Sequence, residues 1–139
     1  MSSEYLENRI YELLEAHLEY RPFHLHRLAA VCTGVLLAGT TELSKVARWI
    51  RRPTQQSSRT QFLKRFLMSP YFNQQAAYCP LIKQALRGYN APIWHIVIDR
   101  TNLVPHQLDL LMVSLSFRKR AVPLGWQLHK FGSTGSHPN

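Results

Sequence analysis

Apolar residues change their spacing once along this chain, at residues 90–92. Before that point they recur every three or four positions, which is typical of one face of an α-helix. After it they form short runs rich in β-branched and aromatic residues, which indicate β-strands. With 139 residues the chain has room for one ordinary domain or two small ones. We therefore predict an α+β fold, with a helical domain over residues 1–89 and a sheet over residues 92–139.

Five helices are predicted in the first part, each ended by a proline or a glycine. They cover about residues 4–19, 25–38, 43–52, 58–69 and 74–87, with Pro22, Gly39, Pro53, Pro70 and Gly88 as their stops. Hydroxyl side chains are the expected N-terminal caps. These are Ser2 or Ser3 for the first helix, Thr40 or Thr41 for the third, and Ser57 or Ser58 for the fourth.

The third and fourth helices form a candidate helix-turn-helix pair. Both are short and amphipathic, a polar turn at residues 54–57 joins them, and the fourth carries Arg59, Thr60 and Gln61 outward near its start. This arrangement fits a recognition helix that enters the major groove of DNA. Small helical domains without any nucleic-acid role share the same spacing, so both interpretations stay open.

Charge is segregated along the chain. Lysine and arginine number 17 against 8 acids, a formal charge of +9, and no acid occurs from Leu43 to Ile98. Because soluble domains usually intersperse both signs, this imbalance favours a polyanionic partner over a merely solvated basic surface. The candidate DNA-binding residues are Lys45, Arg48, Arg51, Arg52, Arg59, Lys64 and Arg65.

Three strands are predicted after the boundary, at residues 93–98, 110–117 and 121–129, with a turn at 118–120. The first is apolar on both faces, as expected of a strand within a sheet, and it ends at Asp99. Pro123 cannot donate to a ladder, which places the third strand at an edge. Residues 131–139 are predicted to be a loop.

Asp99 is the main candidate for chemistry. A carboxylate at the end of an apolar strand needs a partner, either a cation, a metal or hydrogen-bond donors. The non-catalytic interpretation is a pairing with Arg100 or a turn closed through Thr101.

The runs at residues 96–101 and 111–126 resemble the first three strands of the catalytic core of DDE insertion-sequence transposases. The shared order is an apolar strand, Asp99, Thr101, a second strand, a short basic turn, and then Arg120-Ala121 followed by Pro123 and Trp126. Residues 58–71 are similar to the arginine- and phenylalanine-rich helix that precedes this core. Together the similar segments cover most of residues 40–130.

The resemblance implies a ribonuclease-H-like fold in which Asp99 is the first of three carboxylates that hold two magnesium ions (Mg2+). It also implies double-stranded DNA, the transposon ends, as the partner. The family's second Asp and its final Glu have no counterpart in this chain, and Asp109 precedes the second strand, so it does not match either position. We expect Asp99 alone to hold Mg2+ poorly.

We interpret the chain as the N-terminal portion of such a transposase, from a truncation, a split frame or a remnant, and as catalytically incomplete. The alternative is a non-enzymatic basic DNA-binding protein or an inhibitor of transposition. A second copy or a full-length transposase is a possible protein partner, because an apolar sheet face left exposed favours self-association.

The spacing of the cysteines and the length of the apolar runs indicate in which cellular compartment the protein occurs. Cys32 and Cys79 are far apart with no paired motif, which favours a reduced interior. The longest apolar run, residues 28–39, is too short to span a bilayer. We therefore expect a cytoplasmic protein with no membrane partner.

Overall fold

A computed structural model describes residues 2–130 of the chain. It confirms an α+β fold, with five helices followed by a three-stranded antiparallel sheet. The chain divides into two compact units, Met1–Leu81 and Ile82–Asn139, and each is described by itself below. The predicted loop at 131–139 lies outside the described residues.

The helices occupy the predicted parts of the chain with shifted ends. They are α1 (Ser3–His17), α2 (Pro22–Ala38), α3 (Leu43–Ala47), α4 (Gln56–Leu67) and α5 (Gln74–Ala85). Ser2 caps α1 as predicted, accepting a hydrogen bond of 3.2 Å from the Tyr5 amide. Gly39 ends α2 in the left-handed conformation with φ 64°, where a residue without a Cβ is least strained.

Three predicted boundaries are wrong. Pro22 begins α2 instead of ending α1. An amide at the first helical position has no acceptor within the helix, so proline loses no hydrogen bond there, and its fixed φ suits the position. Helix α3 has only five residues and follows Glu42, and Thr40 accepts a hydrogen bond from the Glu42 amide. Helix α4 begins at Gln56 with Gln55 as its N-cap, two or three residues before the start that a cap at Ser57 or Ser58 would give.

Helix α2 packs on both of its sides in the helical unit. On one side Leu25 and Ala29 are buried with Leu14 and Leu18, from α1 and the residue that follows it. On the other side Val31, Val35 and Ala38 pack against a second cluster. That cluster consists of Val46, Ala47, Ile50, Phe62 and Leu63. Each fully buried side chain of this size stabilises the fold by about 1.5–3 kcal/mol, so the short α3 is held by burial and not by its own helical propensity.

Gly34 allows the closest approach between α2 and the second cluster. A Cβ built at this position would lie 3.0 Å from Val46 Cγ1 and 3.0 Å from Ile50 Cδ1. A larger residue would therefore push α2 away from the segment that contains α3.

The sheet consists of β1 (Ile96–Leu103), β2 (Leu108–Phe117) and β3 (Arg120–Lys130) in the order β1-β2-β3. A 3-10 turn at Val104–His106 joins the first pair. Arg118 and Lys119, with φ 48° and 63°, form the two-residue turn between the second pair. Both positive φ values suit a hairpin turn whose twist matches that of the strands.

Strand β1 differs from its prediction in position and length. Its apolar sequence predicts a place inside the sheet, but β1 forms an edge of it. All residues of β1 are exposed except Leu103, which is half-buried. It also continues past Asp99 to Leu103, so Asp99 lies within the strand and not at its end. Two short antiparallel connections place β2 in the centre, which leaves an edge for each of the others. The other edge strand is β3, as predicted from Pro123. The register between β2 and β3 shifts between Val113 and Ser114, and Ser114 is the residue that pairs with Pro123.

Within residues 2–130, no helix is both long enough and apolar enough to cross a membrane.

Candidate functional site

The exposed face of α4 carries two of the predicted DNA-binding residues. Phe62, Leu63 and Phe66 are buried on the opposite face of the helix. Lys64 and Arg65 are exposed, and within the described residues neither side chain forms a hydrogen bond or an ion pair. Their charges are therefore available to an anionic ligand.

Lys45 and Arg48, on and just after α3, lie close to an acid. Lys45 Nζ is 2.6 Å from Glu42 Oε2, and the Ser44 hydroxyl donates to Glu42 Oε1 at 2.9 Å. The hydrogen bond from Lys45, helped by that from Ser44, holds the pKa of Glu42 below its usual range, and the charge of Arg48 acts in the same direction. Lys45 is thus partly neutralised locally, and its pairing is exposed and weak.

Three arginines of the candidate set have structural partners. Arg51 reaches Glu4 of α1, with 3.4 Å between Nη2 and Oε2. The guanidinium carbon of Arg52 lies 3.8 Å from the ring centroid of Phe62. Arg59 donates to the Ile50 carbonyl at 3.5 Å.

The prediction that Arg59 and Thr60 face outward is wrong. Both are half-buried, because Arg59 turns back toward the Ile50 carbonyl and the Thr60 hydroxyl donates to the Gln56 carbonyl at 3.1 Å. The Arg59 Nε atom is buried and has no hydrogen-bond partner among the described residues. Gln61 is exposed as predicted.

Arg27 of α2 was not singled out from the sequence, yet it belongs to the same region. Its guanidinium carbon lies 5.6 Å from the Phe23 centroid, 5.9 Å from that of Phe62 and 5.7 Å from that of Phe66. Guanidinium groups at such distances are attracted to the faces of aromatic rings. The spacing of Phe23 and Arg27, four residues apart on one helix, is the only local signal, since the Phe62 and Phe66 contacts come from α4.

Among the described residues, Asp99 is the only carboxylate on its face of the sheet. It pairs with Met112 in the β1–β2 register, its side chain is exposed, and the Thr101 hydroxyl is 3.5 Å from Oδ2, at the limit of a hydrogen bond. Arg100 does not pair with Asp99, since successive residues of a strand point to opposite faces.

Asp109 is the buried carboxylate of the sheet. It pairs with Asn102, and Arg100 pairs with Leu111, so Arg100 and Asp109 are diagonal neighbours on one face. Arg100 Nη2 donates to Asp109 Oδ2, whereas Oδ1 is buried and has no partner among the described residues. The alternation of a strand places Asp99 and Asp109 on opposite faces of the sheet.

These residues do not fit a magnesium site. Mg2+ requires octahedral oxygen coordination, usually with more than one carboxylate or with phosphates. Asp99 offers a single carboxylate, and Asp109 lies on the other face with Arg100 bound to it. Residues 2–130 hold no group of three His, Cys, Asp or Glu side chains that could bind a metal ion. No step of DNA cleavage is therefore assigned to them.

The sequence matches no protein-family model and no curated protein, and the fold matches no solved structure. The arrangement of the side chains offers electrostatic recognition of an anion by α4 and its neighbours.

Proposed function

We propose that this chain binds double-stranded DNA through the α3–α4 basic surface. This surface consists of the six candidate residues that are exposed, Lys45, Arg48, Arg51, Arg52, Lys64 and Arg65. The observation that carries the proposal is the exposed pair Lys64 and Arg65 on the outer face of α4, inside a stretch of chain that contains no acid. A lysine and an arginine with no competing carboxylate are suited to phosphate contacts.

In this proposal α4 acts as a recognition helix. Its 12 residues span about 18 Å, enough to lie in the major groove. Gln61 and Arg65 are exposed one turn apart on the same helix, and both side-chain types can bond to base edges. The connection from α3 is longer than the three or four residues of a standard helix-turn-helix, since it covers residues 48–55. Arg52 stabilises this longer connection by lying over Phe62 of α4.

The DNA that we propose is a transposon end. Support comes from the transposase-like residue pattern around Asp99 and from three antiparallel strands in the order that a ribonuclease-H-like core begins with. The second candidate function, occupation of transposon ends without cleavage, is favoured because Asp99 is the only carboxylate on its face of the sheet among the described residues.

A comparison of two duplexes tests the proposal. The full chain is titrated into a fluorescent duplex of the inverted repeats that flank its coding sequence, and into a scrambled duplex of equal length and composition. Tighter binding to the inverted repeat is expected. Equal binding to both duplexes would contradict the transposon-end assignment, and no binding to either at low salt would contradict DNA binding itself.

A further inference from the structure

Strand β1 leaves one long edge of the sheet open. The Ser116 amide donates to the His95 carbonyl at 2.9 Å, so the odd-numbered residues of this strand direct their backbone groups toward β2. The amides and carbonyls of Ile96 and Ile98 therefore point away from the sheet. Such a row of backbone groups is a template for another strand.

The first part of this edge, residues 96–98, is apolar and carries none of the usual protection, and the charged Asp99 and Arg100 follow it. Ile96, Val97 and Ile98 are all exposed, Ile98 at 69%. Residues 93–98 include no lysine, proline or acid, the residue types that commonly keep an edge strand from pairing. The opposite edge, β3, contains Pro123. This contrast makes β1 the edge that can accept a partner.

We propose that β1 of a second copy of this chain pairs antiparallel with β1, about a two-fold axis at Val97. An axis perpendicular to the sheet keeps the faces of the two copies aligned, so residues of equal parity oppose each other. With the axis at Val97, Ile96 opposes Ile98 of the second copy, and His95 opposes Asp99 of the second copy. The proposal does not depend on DNA binding.

The residue placed opposite Asp99 distinguishes this register from its neighbours. An axis at Asp99 would place two carboxylates directly opposite each other, which is unfavourable. An axis at Ile98 would place Asp99 opposite Val97, and an axis at Ile96 would place it opposite Ile93, so the carboxylate would face an apolar side chain. Among these axes, only the one at Val97 gives Asp99 a hydrogen-bond donor, His95, and leaves the apolar residues to pack on one another. An axis at Arg100 would offer Thr101 to Asp99, but it would place two guanidinium groups directly opposite each other, which is unfavourable.

Cysteine cross-linking tests the register. Two Val97 residues would form a non-hydrogen-bonded pair with Cα atoms about 4.5 Å apart, within disulfide range. Two Ile98 residues would lie about 9 Å apart, which is too far for a disulfide. In the full chain with Cys32→Ala and Cys79→Ala, the Val97→Cys variant is expected to form a disulfide-linked dimer with oxidised glutathione, and the Ile98→Cys variant is expected to form no disulfide between copies. A cross-link through position 98, through both positions or through neither overturns the proposal.

Light scattering tests the association itself. The wild-type chain is expected to elute with twice the 16.2 kDa mass of one copy. Val97→Lys should give monomers, whereas Leu128→Lys, on the exposed part of β3, should leave the dimer intact. H95D should also give monomers, and H95D combined with D99H should restore the dimer. A monomeric wild type, or equal effects of the two lysine variants when circular dichroism shows both folded, overturns the proposal.

Discussion

Replacing Arg100 by alanine is expected to destabilise the sheet more than replacing its partner, Asp109, by asparagine. Asp109 is buried, with 3% of its side chain exposed, whereas the Arg100 side chain is 60% exposed. In the Arg100→Ala variant a buried carboxylate would lose its only observed donor, because Oδ1 already has no partner among the described residues.

The size of the effect follows from the two exposures. Removing one member of a fully buried ion pair costs about 3–5 kcal/mol, and an exposed pair contributes about 0–1 kcal/mol. Since water already reaches Arg100, we expect Arg100→Ala to lower the free energy of unfolding by about 2 kcal/mol. Asp109→Asn removes the charge and weakens one hydrogen bond, at a cost of about 1 kcal/mol. The double variant leaves no buried charge, so it should also cost about 1 kcal/mol.

Urea unfolding followed by tryptophan fluorescence measures these differences. Trp94 and Trp126 belong to the sheet unit, and a Trp49→Phe background removes the one tryptophan of the helical unit. The expected ranking places the double variant above Arg100→Ala in stability. A cost below about 0.5 kcal/mol for Arg100→Ala, or a double variant less stable than that single variant, would refute the reasoning.

Two further predictions concern the helical unit. Gly34→Ala gains about 1 kcal/mol of helix propensity but costs about 1–3 kcal/mol through contact with Val46 and Ile50. We expect a net loss of about 1 kcal/mol in urea unfolding, and a smaller loss when Gly34→Ala is made in a Val46→Ala background and compared with Val46→Ala alone. A stabilised single variant would argue against the close approach of α2. Burial raises the pKa of the Cys32 thiol, so less thiolate forms at neutral pH. Ellman's reagent should therefore label the exposed Cys79 quickly and Cys32 only slowly. The difference between the two labelling rates should narrow as the pH rises. Equal labelling rates at pH 7 would be inconsistent with the burial of Cys32.

The type and order of the elements could be predicted because they depend on local spacing. Every α-helix and strand overlaps a segment whose apolar period indicates it. The left-handed Gly39 and the edge position of Pro123 follow from the backbone chemistry of those residues. The place of β1 in the sheet could not be predicted in this way. Apolar residues on both faces are typical of an interior strand, but which strands pair is decided by the short connections on either side of β2.

The candidate site was predictable in composition but not in geometry. The absence of acids identifies the basic region, and the burial of Phe62 leaves Lys64 and Arg65 exposed as the helical period requires. Contacts between distant segments then decide which cations remain free. Arg52 lies over Phe62 and Arg59 bonds to a backbone carbonyl, and neither contact has a signal in the local sequence.

The salt dependence of DNA binding by two charge-matched variants tests the central claim most directly. K64Q/R65Q removes the two exposed cations of α4, and K119Q/R120Q removes two from the β2–β3 turn region. Each lowers the formal charge from +9 to +7, since 9 − 2 = 7. Fluorescence anisotropy on one duplex should show that only the α4 variant loses about 2 from the slope of log Kd against log salt concentration, because each phosphate contact contributes about 0.9. Equal changes in both variants, or a change confined to K119Q/R120Q, would contradict recognition through α4.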